Sequence, residues 1–317
     1  MAFFLIVGLR HACNGAASFP QNKAPRRQSR NRDEAMDWSS LLQSIVRLDL
    51  CAMPRKRKQS SIKLNAIHCG DCRDLIPLLP DRSIDLCLTS PPYTEMRKHD
   101  YPSVPEREYS EFTICWMEEL ASKLKTNGSV LINLDANIRN GVMSDYVLKL
   151  QLALREAGWN QHRTQIWNKG GLPLARHDWP RHSYEEILWF SKTNSPFCNP
   201  RSAGEFSKRI PIKDAEGSKW QDRKDNVTSG IARVSDIIKV SVGENEPNVD
   251  HPARYPVRLA ERLIKTFSPD SGTVLDPFAG SGTTLIAAKK LNRVYCGFDV
   301  VAAYAQLARE RISNQSF

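Results

Sequence analysis

The stretch Val274-Leu275-Asp276-Pro277-Phe278-Ala279-Gly280-Ser281-Gly282-Thr283-Thr284 decides the fold of this chain. It starts as a short apolar strand that ends in an acid, Asp276. Gly280 and Gly282 then form a Gly-x-Gly loop, where the missing Cβ atoms let backbone approach a ligand closely. A helix beginning near Thr283 presents N–H groups that have no partner inside the helix. The next strand, Arg293 to Asp299, ends in a second acid. An acid at that point is placed to take the two hydroxyls of a ribose, as in nucleotide-binding strand–helix–strand units. A lone Gly-x-Gly is weak evidence. Here it comes with strand, helix, second strand and terminal acid together.

Far upstream lies Leu88-Thr89-Ser90-Pro91-Pro92-Tyr93, which follows the apolar run Ile84-Asp85-Leu86-Cys87-Leu88. That run reads as a buried strand, and open α/β sheets put their sites at the C-terminal ends of such strands. Two prolines fix φ and remove two N–H donors. The residue before each is pushed to extended geometry. The loop is therefore stiff, its carbonyls are free to accept, and an aromatic face stands beside them. Such a loop can grip a planar group that carries an NH2. Taken alone, the stretch reads as well as a Pro-Pro turn leaving a strand.

Together the two stretches resemble the amino-group DNA methyltransferases that use S-adenosylmethionine, over about residues 62 to 313. The Ser-Pro-Pro-Tyr form is similar to the cytosine-N4 branch. The adenine-N6 branch usually carries Asp or Asn where this chain has Ser90. The loop with Ser90 precedes the glycine loop, as in the circularly permuted class often called beta. The resemblance implies a Rossmann-like α/β methyltransferase fold with a mostly parallel seven-stranded sheet, one strand antiparallel near the edge, and an inserted target-recognition region. It implies S-adenosylmethionine framed by Asp276, Pro277, Phe278, Gly280, Gly282 and Thr283, with Asp299 on its ribose and Asp71 near its adenine. It implies catalysis by Ser90, Pro91, Pro92 and Tyr93, with no metal. Asp71 has a second reading, as the N-cap of the helical turn that follows it.

Composition bounds the partners. The chain has 317 residues, 41% hydrophobic and 25% charged, with a formal net charge of +10. A basic balance suits a polyanion. The excess is uneven: residues 1 to 60 hold 11 Lys/Arg against 4 Asp/Glu, which leaves 34 against 31 for the rest. Bulk charge is therefore poor evidence for DNA binding by the core. The 8 cysteines are scattered through a chain too large to need stapling, which suits reduced thiols in a cytosolic protein. Cys69-Gly-Asp-Cys72 has no second CxxC or His pair at zinc-ligand spacing. No Pro-Cys dipeptide occurs, so the cysteine nucleophile that cytosine-C5 methylation needs is not in view.

Four segments are expected. Residues 1 to 60 read as a basic, disordered tail that ends in Arg55-Lys56-Arg57-Lys58, or as a segment upstream of a start at Met36 or Met53. Phe3 to Leu9 is far shorter than the ~20 residues of a membrane span and lacks a basic run before it. Residues 61 to 191 form the catalytic half. Within it, 94 to 108 read as a mobile loop, and Tyr109 to Lys125 as a helix stopped before Gly128. Trp167 and Lys169 are candidate liners of a base pocket. Residues 192 to 250 show no sustained apolar period and carry 10 Lys/Arg against 6 acids between Lys192 and Lys239. An insertion of that kind is usually functional, and the resemblance makes it the target-recognition region. Residues 251 to 317 are the cofactor-binding half of the same domain, opened by His251-Pro252-Ala253-Arg254-Tyr255-Pro256.

Alternating strands and helices give a mostly parallel sheet with helices on both faces and right-handed crossovers. The expected activity is methyl transfer to cytosine N4 in duplex DNA by base flipping. Adenine N6 on the same fold, a catalytically inactive DNA-binding relative, and RNA as the substrate are the alternatives. The expected partners are duplex DNA and a restriction endonuclease acting on the same site. The expected place is the bacterial cytoplasm, at the nucleoid, with no membrane.

Overall fold

The computed structural model describes residues 62–94, 103–136, 138–139, 141–170, 182–204, 209–214, 217–222, 230–242 and 255–315. The expected tail, most of the loop at 94 to 108 and residues 251–254 lie outside the described residues.

The chain opens with β1 (Ala66–Cys69), α1 (Cys72–Leu75), β2 (Ile84–Thr89) and α2 (Tyr109–Ala121). β3 (Leu124–Leu134), the short hairpin β4 (Ile138–Arg139) and β5 (Val142–Met143), and α3 (Tyr146–Glu156) follow. Next come β6 (Asn160–Asn168), β7 (Tyr184–Ser191), the hairpin β8 (Arg209–Asp214) and β9 (Gly217–Asp222), and β10 (Ile237–Lys239). The last part is α4 (Val257–Phe267), β11 (Thr273–Asp276), α5 (Thr283–Lys290), β12 (Val294–Asp299) and α6 (Ala302–Ser313).

Eight strands form the main sheet in the order β1-β12-β11-β2-β3-β7-β6-β10. β7 runs antiparallel to both of its neighbours, β3 and β6. The other pairings are parallel. The sheet thus exceeds the expected seven strands by one. The eighth, β10, comes from the stretch that reads as structureless in sequence. It is three residues long with only Ile238 buried, too short for a period to register. It pairs with β6 through Ile238 and Trp167, and the Trp167 indole Nε1 donates to the Val240 carbonyl at 2.8 Å.

Central strands are apolar on both faces, as a sheet covered twice requires. Successive residues alternate between two cores. Cys87, Val130, Ile132 and Leu275 face the cluster of α2 and α3, with Trp116, Met117 and Leu150. Leu86, Leu88, Leu131 and Val274 face the cluster of α4, with Leu259, Leu263 and Phe267. α2 buries Tyr109, Thr113, Trp116, Met117 and Leu120, one face at helical spacing. It stops at Ala121 and not at Lys125, because Leu124 already belongs to β3. Gly128 lies inside that strand, where an added Cβ would stand 3.0 Å from the Ile84 carbonyl. Close backbone approach, not helix termination, is its role. Among the described residues no helix is long and apolar enough to cross a membrane.

Candidate active site

β11 and β2 are adjacent and parallel, so their C-terminal ends deliver Asp276 and Thr89 to one place. Thr89 Oγ1 donates to Asp276 Oδ1 at 2.7 Å, and the Phe278 amide donates to the same oxygen at 3.1 Å. Thr284 Oγ1 donates to Asp276 Oδ2 at 2.5 Å. Tyr255 lies next to Thr284, hydroxyl to hydroxyl. Burial pushes the Asp276 carboxyl up to about 6, and the hydroxyl and amide donors hold it from rising further.

The glycine loop then turns back on itself. Gly280 and Gly282 sit at φ 51° and 81°, the left-handed region that glycine enters without steric penalty. An added Cβ at Gly282 would lie 2.9 Å from the Ala308 Cβ of α6. From behind, Arg311 donates to the Ser281 carbonyl at 2.5 Å and to its Oγ at 2.9 Å. Asp299, at the end of β12, accepts from the Gly280 amide and the Val301 amide, 2.8 Å each. Burial raises its carboxyl too. Each of its oxygens keeps a lone pair for a further donor.

Several features fit a ligand with a ribose and a planar base. Thr283 Oγ1, in the first turn of α5, is buried without a partner. Phe278 is partly exposed and rests edge-on against Trp116, ring centres 5.6 Å apart. Tyr109 Oη, Thr113 Oγ1 and Trp116 Nε1, on one face of α2, are likewise buried without partners. Buried polar atoms are seldom left unpaired; the three α2 residues are wholly enclosed in the core, so it is the Thr283 hydroxyl, at the start of α5, whose unmet capacity favours an occupant that hydrogen-bonds.

The other loop leaves β2 at Ser90, with Pro91 buried and Ser90, Pro92 and Tyr93 partly exposed. Ser90 Oγ donates to the Tyr93 hydroxyl at 3.2 Å, and that hydroxyl donates to Glu185 Oε2 at 2.9 Å. Asn133 Nδ2 donates to Tyr93 Oη at 3.1 Å and to Glu185 Oε2 at 2.5 Å. Lys169 Nζ pairs with Glu185 Oε1 at 3.1 Å and Asp135 Oδ2 at 3.4 Å. His182 Nε2 lies 3.1 Å from Asp135 Oδ1. Burial and the nearby Glu185 charge push the Tyr93 phenol well above its ordinary range.

The expected residues thus divide. Ser90, Pro91, Pro92 and Tyr93 are brought beside Asp276, Pro277, Phe278, Gly280, Gly282 and Thr283 through the Thr89 bridge. The Gly70 amide donates to the Asp299 carbonyl at 2.9 Å, which puts the Asp71 segment against β12. The Asp71 carboxylate itself caps α1 at the Arg73 amide and pairs with the Arg73 guanidinium at 2.6 Å, so the geometry holds its capping role. Trp167 is a core residue, whereas Lys169 joins the cluster at Tyr93. Glu185, Asn133 and Asp135 escape the sequence reading. Asp135 ends an apolar strand, the same signal that marks Asp276. Asn133 and Glu185 lie inside strands, and nothing local distinguishes them.

Type II methyltransferase M.BglII of Bacillus subtilis is 28% identical over 261 residues, which cover 80% of this chain and 70% of that protein. A Thermus thermophilus protein described as a putative DNA modification methylase, solved with S-adenosyl-L-methionine, is 28% identical with a TM-score of 0.54. That match covers 78% of this chain and 93% of the other. The cytosine-N4-specific PvuII DNA methyltransferase shares the fold, with a TM-score of 0.63 at 23% identity over 81% of this chain and 89% of its own. The family model described as DNA methylase, for N6 and N4 methylases, matches residues 84–310, and the chain belongs to that family.

Proposed function

We propose that this DNA methylase transfers a methyl group from S-adenosylmethionine to N4 of cytosine in duplex DNA. The observation that carries the reading is Ser90. It stands at the head of a Pro-Pro-Tyr loop, one residue beyond the Thr89–Asp276 bond that ties this loop to the glycine loop. When bound, S-adenosylmethionine supplies a methyl group on a sulfonium, open to direct displacement by an amine. Asp276, Pro277, Phe278, Gly280, Gly282 and Thr283 frame it, and Asp299 takes its ribose. The acid and phenylalanine at the loop, with the unpaired Thr283 hydroxyl, support this fit.

Cytosine N4 is a poor nucleophile because its lone pair is delocalised into the ring. Ser90 Oγ and the Pro91 carbonyl would accept hydrogen bonds from its two N–H groups, which favours a pyramidal nitrogen with its lone pair free for transfer. Tyr93 stacks on the base. The base leaves the duplex to reach the loop, at a cost of a few kcal/mol. Most of the acceleration would come from the positioning of the amine by Ser90, the Pro91 carbonyl and Tyr93. The basic residues between Lys192 and Lys239 take phosphates and base edges. A restriction endonuclease of the same specificity is the expected partner, given Type II relatives, and the bacterial cytoplasm the expected place. Ser90→Ala tests the reading: cofactor affinity should stay within about twofold while transfer falls by about a hundredfold or more. Near wild-type turnover would overturn it.

A further inference from the structure

We propose that Tyr93 and Glu185 form a proton relay that carries the proton released by the target amine away from Ser90. This rests on the reading of Ser90 as the group that accepts from the amine. The observation is a hydrogen-bond chain with one direction. Ser90 Oγ donates to Tyr93 Oη at 3.2 Å, and Tyr93 Oη donates to Glu185 Oε2 at 2.9 Å. Ser90 Oγ therefore keeps its lone pairs for the substrate, the Tyr93 oxygen accepts from Ser90 and from Asn133, and the last member is a carboxylate.

The chemistry of amine methylation needs such an exit. The N4–CH3 bond forms as the S–CH3 bond breaks, and the electron pair of that bond stays on sulfur. The nitrogen is left with a proton to lose. A serine hydroxyl is too weak a base to keep it, and the buried Tyr93 phenol does not ionise to take it. The two can still pass it on. The amine proton moves to Ser90 Oγ as the serine proton moves to Tyr93 Oη and the tyrosine proton moves to Glu185 Oε2. Both hydroxyls end as they began, and one carboxylate becomes a carboxylic acid.

The surroundings of Glu185 suit an acceptor. Its side chain is 12% exposed and its second oxygen pairs with Lys169, itself 8% exposed. Asn133 Nδ2 holds the accepting oxygen from the side at 2.5 Å. Lys169 also reaches Asp135, and Asp135 reaches His182, whose side chain is 43% exposed. The polar chain therefore runs from the partly buried serine to the surface, and between turnovers Glu185 returns its proton to solvent on that side. Glu185 comes from β7, the antiparallel strand, which enters the site from the direction opposite to β2 and β3.

Two conservative variants separate a relay from a scaffold. Tyr93→Phe keeps the stacking ring and removes the hydroxyl. Glu185→Gln keeps a carbonyl oxygen that can accept from Tyr93 and cannot take its proton. Single-turnover transfer is measured beside calorimetric cofactor affinity. The relay predicts a fall of about tenfold or more in each variant, a double variant no slower than the slower single, and cofactor affinity within about twofold of the parent. In the protein without cofactor, the ring-carbon resonance of Tyr93, assigned by its loss in Tyr93→Phe, should shift in Glu185→Gln. Parent-like transfer in either variant, or losses that multiply in the double variant, overturns the relay. So does an affinity loss that accounts for the slower rate. If Ser90→Ala is inactive while both variants transfer normally, only the relay fails. If Ser90→Ala is active, the site assignment itself fails.

Discussion

Thr89 Oγ1 and Asp276 Oδ1 are joined by a 2.7 Å hydrogen bond across two adjacent strands, although 187 positions separate them in sequence. The bond couples the two loops of the site. Both residues are buried, so neither can replace the other with water. Thr89→Val keeps the shape and leaves a buried carboxylate short of one donor. The expected loss is about 1–3 kcal/mol of stability, read by chemical denaturation, together with weaker cofactor binding. Thr89→Ser should recover most of both.

The same carboxylate gives a pH dependence of known sign. Asp276 titrates at about 6 when folded, against an ordinary value of 3.8. Above pH 6 both states are ionised and the folded state bears the full burial cost. As pH falls from 6 toward 3.8 the folded state binds a proton that the unfolded state does not, so this group's contribution to stability rises. Asp276→Asn should remove that component. The difference in melting temperature between variant and parent should be most in the variant's favour at about pH 7.5 and should shrink by about pH 5.

At the opposite end of the sheet, Asp85 performs a structural task alone. It is buried on β2, accepts from the Thr273 amide at 2.8 Å and pairs with Lys125 at 2.7 Å. Asp85→Ala strands a buried amide and should cost about 2 kcal/mol. Cofactor affinity and transfer rate, measured well below the melting point, should be unchanged.

Gly282 is held by conformation and by space together, with φ 81° and the Ala308 Cβ within 2.9 Å of an added Cβ. Gly282→Ala should lose about 1–3 kcal/mol and displace the start of α5, with a fall in cofactor affinity larger than the fall in the transfer rate at saturation. Equal affinity in the variant would mean that the loop does not hold the cofactor.

The parts of the site that are written locally are legible in the sequence. Val274 to Thr284 spells strand, acid, turn and helix in consecutive residues, and Asp299 repeats the acid after the next strand. Ser90 to Tyr93 is visible because proline dipeptides constrain the chain wherever they occur. Glu185 was hidden because it stands beside a second acid, Glu186, at the head of an apolar run, where an acid looks like a solvated position, and only the antiparallel run of β7 turns it inward to Tyr93. Asp71 was ambiguous for the same reason: a cap and a ligand contact use the same atom, and the Arg73 pairing that settles its present partner depends on three-dimensional structure. The eighth strand escaped because Ile237 to Lys239 is held by its pairing with β6, not by its own period.

The chemical identity of the product decides whether Ser90 serves cytosine N4. The protein is incubated with unmethylated duplex DNA and S-adenosylmethionine, the DNA is digested to nucleosides, and the methylated species is identified by mass spectrometry. N4-methylcytosine is the expected product, abolished in Ser90→Ala. N6-methyladenine as the product would contradict the assignment of the target base while leaving the family and the fold in place.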